Sequence, residues 1–296
     1  MPTEPGSSVP RRQLGRHLRI LREDAQVSVK LAAEQLEWST PKIWRIESGA
    51  TSLRALDVEA MCRLYGAPAE TTAALMGLAR ESKARGWWHA YGDAIPAWFE
   101  LYVSLETAAS HLRQYGPELI PGLLQTAAYA TEVFVLHHPD MPSEEVARGV
   151  AVRLERQKLL TRARPPAPRL AAVLSEAVLR RPLRDRAAMT EQFRHLLRVG
   201  RLPNVSIRVL PLRAGLHPGA VAGGSFTILD FPDLGLARGA EPTTVYSDGL
   251  TGALYLDKPD EIAAYEKVWA SIVAATLDET QSMRLIAAIA KEHPTP

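Results

Sequence analysis

Thr40, Lys42, Trp44 and Arg45 place a hydroxyl, two cations and an indole within six consecutive positions. Ile43 and Ile46 are interleaved with them, three residues apart. A helix here buries the isoleucines and leaves the other side chains around its outer face. That set suits a polyanion: lysine and arginine reach phosphate oxygens or the O6/N7 edge of guanine, and threonine bonds a base edge or touches a thymine methyl. Most protein–DNA hydrogen bonds go to the backbone, so Lys42 and Arg45 are expected chiefly on phosphates. Trp44 has two readings, contact with a base or sugar and packing on the edge of a bundle. Ser28, Lys30 and Ser39 complete the set expected to face a duplex.

A second constellation lies farther along. Arg153, Arg156 and Gln157 fall at i, i+3 and i+4, one surface of a helix. They could bind an anion or a carboxylate such as Glu176; an internal network that orients helix on sheet is the favoured reading of the same residues. Catalytic patterns fare worse. Gly223-Gly224-Ser225-Phe226 lacks the G-x-S-x-G elbow and precedes a strand-like run instead of following one. No G-x-x-x-x-G-K-[ST] loop occurs. His111, His137, His138, His195 and His217 show no metal-ligand spacing, and Glu144-Glu145 suit a helix start without any chemistry. No enzyme activity, metal or cofactor is expected.

The elements that must hold these residues follow from the periodicity. Leu14, Leu18 and Leu21 mark a first helix. Leu31 and Leu36, with small Ala32 between them, mark a second whose apolar residues face inward; Ile43 and Ile46 mark a third, and Leu56, Ala60 and Leu64 a fourth. Ser28 and Ser39 stand where hydroxyls accept from first-turn amides, Pro41 falls in the first turn of the third helix, and Gly49 ends it. A fifth helix, about Ala69 to Arg85, lies between Pro68 and Gly86. Glu37-Trp38 forms the turn between the second and third helices. Glu47 is expected to be structural, pairing with a first-helix arginine or with the bundle backbone, and Cys62 to be a small core residue.

Beyond the aromatic stretch Gly86 to Tyr91 the pattern changes. Helical patterning runs from about Leu105 to His111, Gly122 to His137 and Ser143 to Arg162, the last with Val146, Val150 and Leu154 on one face. Strand-like runs follow at Leu170–Leu174, Val205–Leu210, Phe226–Phe231, Thr243–Tyr246 and Ala253–Leu256, then helices at about Asp260–Leu277 and Glu279–Glu292. The fold class expected is an all-α helix-turn-helix bundle of about five helices followed by a mixed α+β (or α/β) domain. The boundaries are a disordered tail at 1–10, the bundle at 11–85, a linker at 86–104 and a regulatory or oligomerisation domain at 105–296.

Bulk properties agree with two globular domains. The 296 residues are 46% hydrophobic and 23% charged, enough for a packed core. The first 86 residues carry 13 Lys and Arg against 10 Asp and Glu, the rest 22 against 23, so the head is mildly basic and the body neutral. One cysteine excludes an internal disulfide framework and a multi-cysteine metal site. No apolar run suits a signal peptide or a membrane span, and the compartment expected is the cytoplasm.

Two resemblances sharpen this. Leu14 to Arg22, Leu31-Ala32-Ala33-Glu34-Gln35-Leu36 and Lys42-Ile43-Trp44-Arg45-Ile46-Glu47-Ser48-Gly49 resemble the Xre/Cro family of helix-turn-helix repressors. The chain departs from that family at three positions. Val29 stands where Gln often contacts phosphate, Glu37 where Gly often adopts φ > 0, and Trp44 where a small polar residue is common. A non-Gly residue in left-handed geometry costs roughly 1 kcal/mol. Tyr115-Gly116-Pro117-Glu118-Leu119-Ile120-Pro121-Gly122-Leu123-Leu124-Gln125-Thr126 is similar to a segment of the Scr-type antitoxin-like transcriptional regulators of GC-rich bacteria. Arg153 to Gln157, Ser175 to Arg181, Pro203-Asn204-Val205, Leu210-Pro211 and Ala214-Gly215 with His217 continue that resemblance.

The resemblances imply a regulator of double-stranded DNA, expected as a homodimer, whose body responds to a small companion protein or a small-molecule effector and makes no membrane contact. A second reading is the antitoxin of a two-gene module that binds the companion and autoregulates its operon. An enzyme fused to a DNA-binding head is the third, and the missing nucleophile and metal patterns count against it.

Overall fold

The computed structural model describes residues 9–81, 95, 97–221, 224–232, 241–249 and 252–292. Residues 1–8 of the tail expected at 1–10, the end of the fifth helix at 82–85 and the aromatic stretch 86–91 lie outside the described residues; residues 9 and 10 of that expected tail are helical. The chain divides into two compact units. One holds the described residues within Met1–Ala90, Pro96–Ala108 and Phe231–Pro242; the other holds Tyr91–Ile95, Ala109–Asp230 and Thr243–Pro296.

The first unit contains α1 (Val9–Asp24), α2 (Val29–Gln35), α3 (Thr40–Glu47), α4 (Ala55–Leu64), α5 (Ala69–Glu81) and α6 (Ala97–Ala108). Leu14, Leu18, Ala32, Ile43, Ile46 and Met61 form its core. Each of the first four helices ends in a residue with positive φ: Gln26, Glu37, Gly49 and Gly66. After α2 the Glu37 amide donates to the Glu34 carbonyl and the Trp38 amide to the Ala33 carbonyl, the paired closure of a Schellman motif. Glu37 therefore takes the left-handed geometry expected of a turn where glycine is common. Gly15 lets α1 approach α3, because a Cβ there would fall on the backbone carbonyl oxygen of Ile46.

Four expectations change here. Leu31 is 42% exposed; over the two turns of α2 the inward positions fall to Ala32, Ala33 and Leu36. In α4 the buried stripe is Val58, Met61 and Cys62, continued by Tyr65 at its C-cap, which leaves Leu56 71% exposed. Both stripes have the helical period, and packing against α1 and α5 selects between them. Residues 97–104, read as linker, are helical, and α6 groups with the bundle. The described residues among 231–242, a segment that connects two strands of the sheet in sequence, also group with the bundle, so the 105–296 domain is not one continuous block. Within that segment Glu241, its side chain 3% exposed, accepts from Arg12 at 2.8 Å and Arg16 at 3.3 Å.

The second unit is a six-stranded mixed sheet with helices. Its strands are β1 (His111–Gly116), β2 (Arg169–Ser175), β3 (Val205–Leu210), β4 (Phe226–Asp230), β5 (Thr244–Gly249) and β6 (Gly252–Leu256), in the order β3-β2-β1-β4-β5-β6. β1, β2 and β3 are parallel; β4 turns antiparallel on β1, and β5 and β6 extend it as a meander. The parallel strands need crossovers. α7 (Ala127–His137) and α8 (Ser143–Gln157) join β1 to β2, and α9 (Glu176–Arg180) and α10 (Arg186–Val199) join β2 to β3. The short α11 (Pro218–Val221) precedes β4, and α12 (Pro259–Ala275) and α13 (Glu279–Glu292) follow β6.

β2 to β6 agree with the strand-like runs, and Val146, Val150 and Leu154 pack with Ala130 and Phe134 of α7 as their spacing predicts. β1 corrects the helical reading that reached His111. The helix expected from Gly122 begins as a 3-10 turn, Gly122–Leu124, and α7 starts only after Thr126 caps the Tyr129 amide. The long helix from Ser143 ends at Gln157 and tightens into a 3-10 turn, Lys158–Thr161. α9 and α10 had no counterpart in the periodicity.

Candidate nucleic-acid interface

α3 anchors by Ile43 and Ile46, both at most 1% exposed, with Pro41 in its first turn. That burial turns Trp44, 61% exposed, and Arg45 outward, while Thr40 and Lys42 are half-buried. Ser28 caps α2 by accepting from the Leu31 amide at 3.1 Å. Ser39 holds the N-cap position of α3 without the expected side-chain cap bond; its carbonyl serves the Lys42 and Ile43 amides instead. Ser28, Lys30 and Ser39 are all exposed.

Ion pairing separates the cations of this unit. Arg22 donates to Glu47 through Nε at 2.6 Å and Nη2 at 2.9 Å, tying α1 to the end of α3 as expected. Arg19 pairs with Glu23, Arg63 with Glu59, and Arg12 and Arg16 share Glu241. Among the described residues no carboxylate pairs with Lys30, Lys42 or Arg45. The Lys42 ammonium lies 3.5 Å from the centroid of the Trp38 ring. Positive charge without a carboxylate partner therefore remains on α2 and α3, whereas Arg12, Arg16, Arg19 and Arg22 of α1 are paired. Arg54, which the sequence reading passed over, is also exposed at the start of α4; its amide donates to Asp57 at 3.3 Å, and among the described residues no carboxylate pairs with its guanidinium. A basic residue just beyond the Gly49 turn was its only signal.

The second constellation is built into the loop after β1. Arg153 donates from Nη1 to Gln125 Oε1 at 2.7 Å and lays its guanidinium over the Phe134 ring. Gln157 Nε2 donates to the Gly122 and Gln125 carbonyls, and Arg156 is buried beside Gly122. Gln125 Nε2 reaches the Ile120 carbonyl at 2.6 Å. Gln192 of α10, fully buried, accepts from the Thr126 amide and donates to the Leu124 carbonyl. Glu176 is not part of this group. It pairs with Arg180 on its own helix and accepts from the Leu212 amide, and these bonds and the nearby positive charges outweigh burial and hold its carboxyl below the usual range. Gln125 and Gln192 were missed because a lone amide carries no spacing signal.

Among the described residues no helix is long and apolar enough to cross a membrane, and no group of three or more His, Cys, Asp or Glu could hold a metal ion.

Comparison with protein families gives two matches. Residues 13–75 match the family described as a helix-turn-helix domain, so the α1–α5 bundle is a DNA-binding domain of regulator type. Residues 99–288 match the family described as "Domain of unknown function (DUF5753)". Neither the curated proteins nor the solved structures include a match. Since the second match spans more than half of the 296 residues, the chain belongs to the DUF5753 family.

Proposed function

We propose that the chain is a sequence-specific transcription regulator that binds duplex DNA, as a homodimer, through the outer face of α2 and α3. The observation that carries this reading is the pairing of charges. Lys30, Lys42 and Arg45 lack carboxylate partners among the described residues, while Arg12, Arg16, Arg19 and Arg22 have them. Unpaired cations beside an exposed indole serve no core purpose, whereas duplex phosphates and base edges accept them. A single short helix reads only a few base pairs, and two copies on half-sites about one helical turn apart (~34 Å) supply the remaining specificity. The sheet unit then acts as a binding module for a companion protein or a small-molecule effector and not as a catalyst. Such an occupant changes DNA affinity only by binding two states of the protein unequally.

The test is to select duplexes from a random pool with the full chain, then measure affinity against salt. Arg45→Ala is expected to weaken binding and to lower the magnitude of the salt slope by about 0.9 if Arg45 contacts phosphate. A loss confined to one base position with an unchanged slope makes it a base reader. No selected sequence, or no effect of either Arg45→Ala or Lys42→Ala, refutes the reading. Light scattering that finds only monomer, free and on DNA, refutes the dimer.

A further inference from the structure

Resting on that reading of α3, we propose that Trp38 is a positioning residue for DNA binding. Its indole face holds the Lys42 ammonium in place to clamp a backbone phosphate. Trp38 lies in the turn, outside α3, and the turn fixes it. Its amide closes the end of α2 on the Ala33 carbonyl at 2.8 Å, and its half-buried ring packs against the bundle core. Side chains on a helix lean toward its N-terminus, so the Lys42 stem runs back toward the turn. There its ammonium meets the ring at 3.5 Å from the centroid.

Three features suit this arrangement to phosphate capture. No carboxylate pairs with Lys42 among the described residues, so its charge is not neutralised as those of Arg12 and Arg22 are. A ring face attracts the cation without occupying all three ammonium donors, so others remain for phosphate oxygens. A lysine stem loses much rotamer freedom on binding, and the ring removes part of that freedom beforehand. Arg45 is exposed, and among the described residues no ring holds it, which leaves it as the cation to follow a base edge.

The experiment uses the full chain, one duplex selected from a random pool and one duplex of arbitrary sequence. Wild type, Trp38→Phe, Trp38→Leu, Lys42→Ala and the Trp38→Leu/Lys42→Ala pair are compared by affinity, salt slope and urea midpoint. A cation–π contact at a partly exposed site is worth about two- to fivefold. Trp38→Leu is therefore expected to weaken binding by about that factor on both duplexes, with the salt slope unchanged because the charge remains. Trp38→Phe keeps a ring and is expected to bind within about twofold of wild type. Lys42→Ala lowers the slope by about 0.9, and adding Trp38→Leu to it changes little. A Trp38→Leu loss of the same size with and without Lys42 overturns the proposal, as does full affinity in a folded Trp38→Leu.

Wild-type NMR gives a second arm that does not depend on any variant folding. The Lys42 ε-methylene protons are expected upfield under the ring, and to stay there on the duplex. A return to ordinary shifts on DNA means the lysine leaves the ring, and the proposal fails. Wild type that binds neither duplex refutes the proposed function itself, whereas wild type that binds with Trp38 and Lys42 uncoupled refutes only this inference.

Discussion

Glu47→Ala isolates the pair that fixes α3 on α1. Arg22 and Glu47 are buried, with side chains 9% and 7% exposed, and meet through two short hydrogen bonds; a third Arg22 donor reaches the Val27 carbonyl at 3.0 Å. The Glu47 hydrogen bond, opposed by burial, pushes the guanidinium pKa further up; without it Arg22 still stays charged, because an arginine guanidinium does not deprotonate in proteins. Removing one member of a buried pair costs about 3–5 kcal/mol, because the other is left charged with little solvent. Relaxation moderates this, since half-exposed Glu23 already lies 3.6 Å from Arg22 and can take over part of the interaction. The expected cost is therefore about 3 kcal/mol, the low end of that range. Native-state hydrogen exchange over increasing urea, read on α1 and α3 amides, follows this unit separately from the sheet. Arg22→Met/Glu47→Leu removes both charges and is expected to cost less than about 1 kcal/mol. A Glu47→Ala cost below about 1 kcal/mol, or a double variant as unstable as the single one, would show that burial does not govern this pair.

Other perturbations test other parts of the structure. Gly15→Ala adds a helix-favouring residue worth about 1 kcal/mol, yet its Cβ would strike the Ile46 and Glu47 carbonyls. Thermal melting is expected to show a net loss of about 2 kcal/mol or more, with weakened DNA binding, and a raised Tm would refute the close approach. Gln192→Leu strands the Thr126 amide and the Leu124 carbonyl; at about 1–3 kcal/mol for each unsatisfied group, a loss near 3 kcal/mol and faster exchange at Thr126 are expected. Asp230 would be pushed up by burial, but hydrogen bonds from His111 and Thr243 and the charge of Arg113 hold it below its ordinary value. A depressed folded pKa stabilises above the unfolded pKa of about 3.9 and stops doing so as pH falls through the folded value. Asp230→Asn is accordingly expected to flatten the loss of stability below about pH 4, and an unchanged acid limb in urea titrations would refute this.

The parts of this protein governed by local physics were legible in the sequence. A helix of period 3.6 with buried Ile43 and Ile46 has to expose Trp44 and Arg45, and the end of α2 has to place Glu37 at positive φ to close its last carbonyls. Strands β2 to β6 announced themselves by β-branched and apolar runs, while β1, His-Leu-Arg-Gln-Tyr-Gly, did not. Three polar residues hide a central strand, and only pairing with β2 on one side and β4 on the other makes it one. The α4 stripe was ambiguous for the same reason, since two registers satisfied the period and packing chose one. Arg19 and Arg63 find carboxylates four residues away on their own helices, but which of the other cations are paired was decided at the tertiary level. Arg12 meets Glu241 from 229 positions away and Arg22 meets Glu47 from 25, whereas Lys42 finds a ring four residues back and, among the described residues, no carboxylate. Helix ends and periods depend on neighbours in sequence, but neutralising a charge or satisfying a buried amide depends on which distant groups the fold brings within about 3 Å.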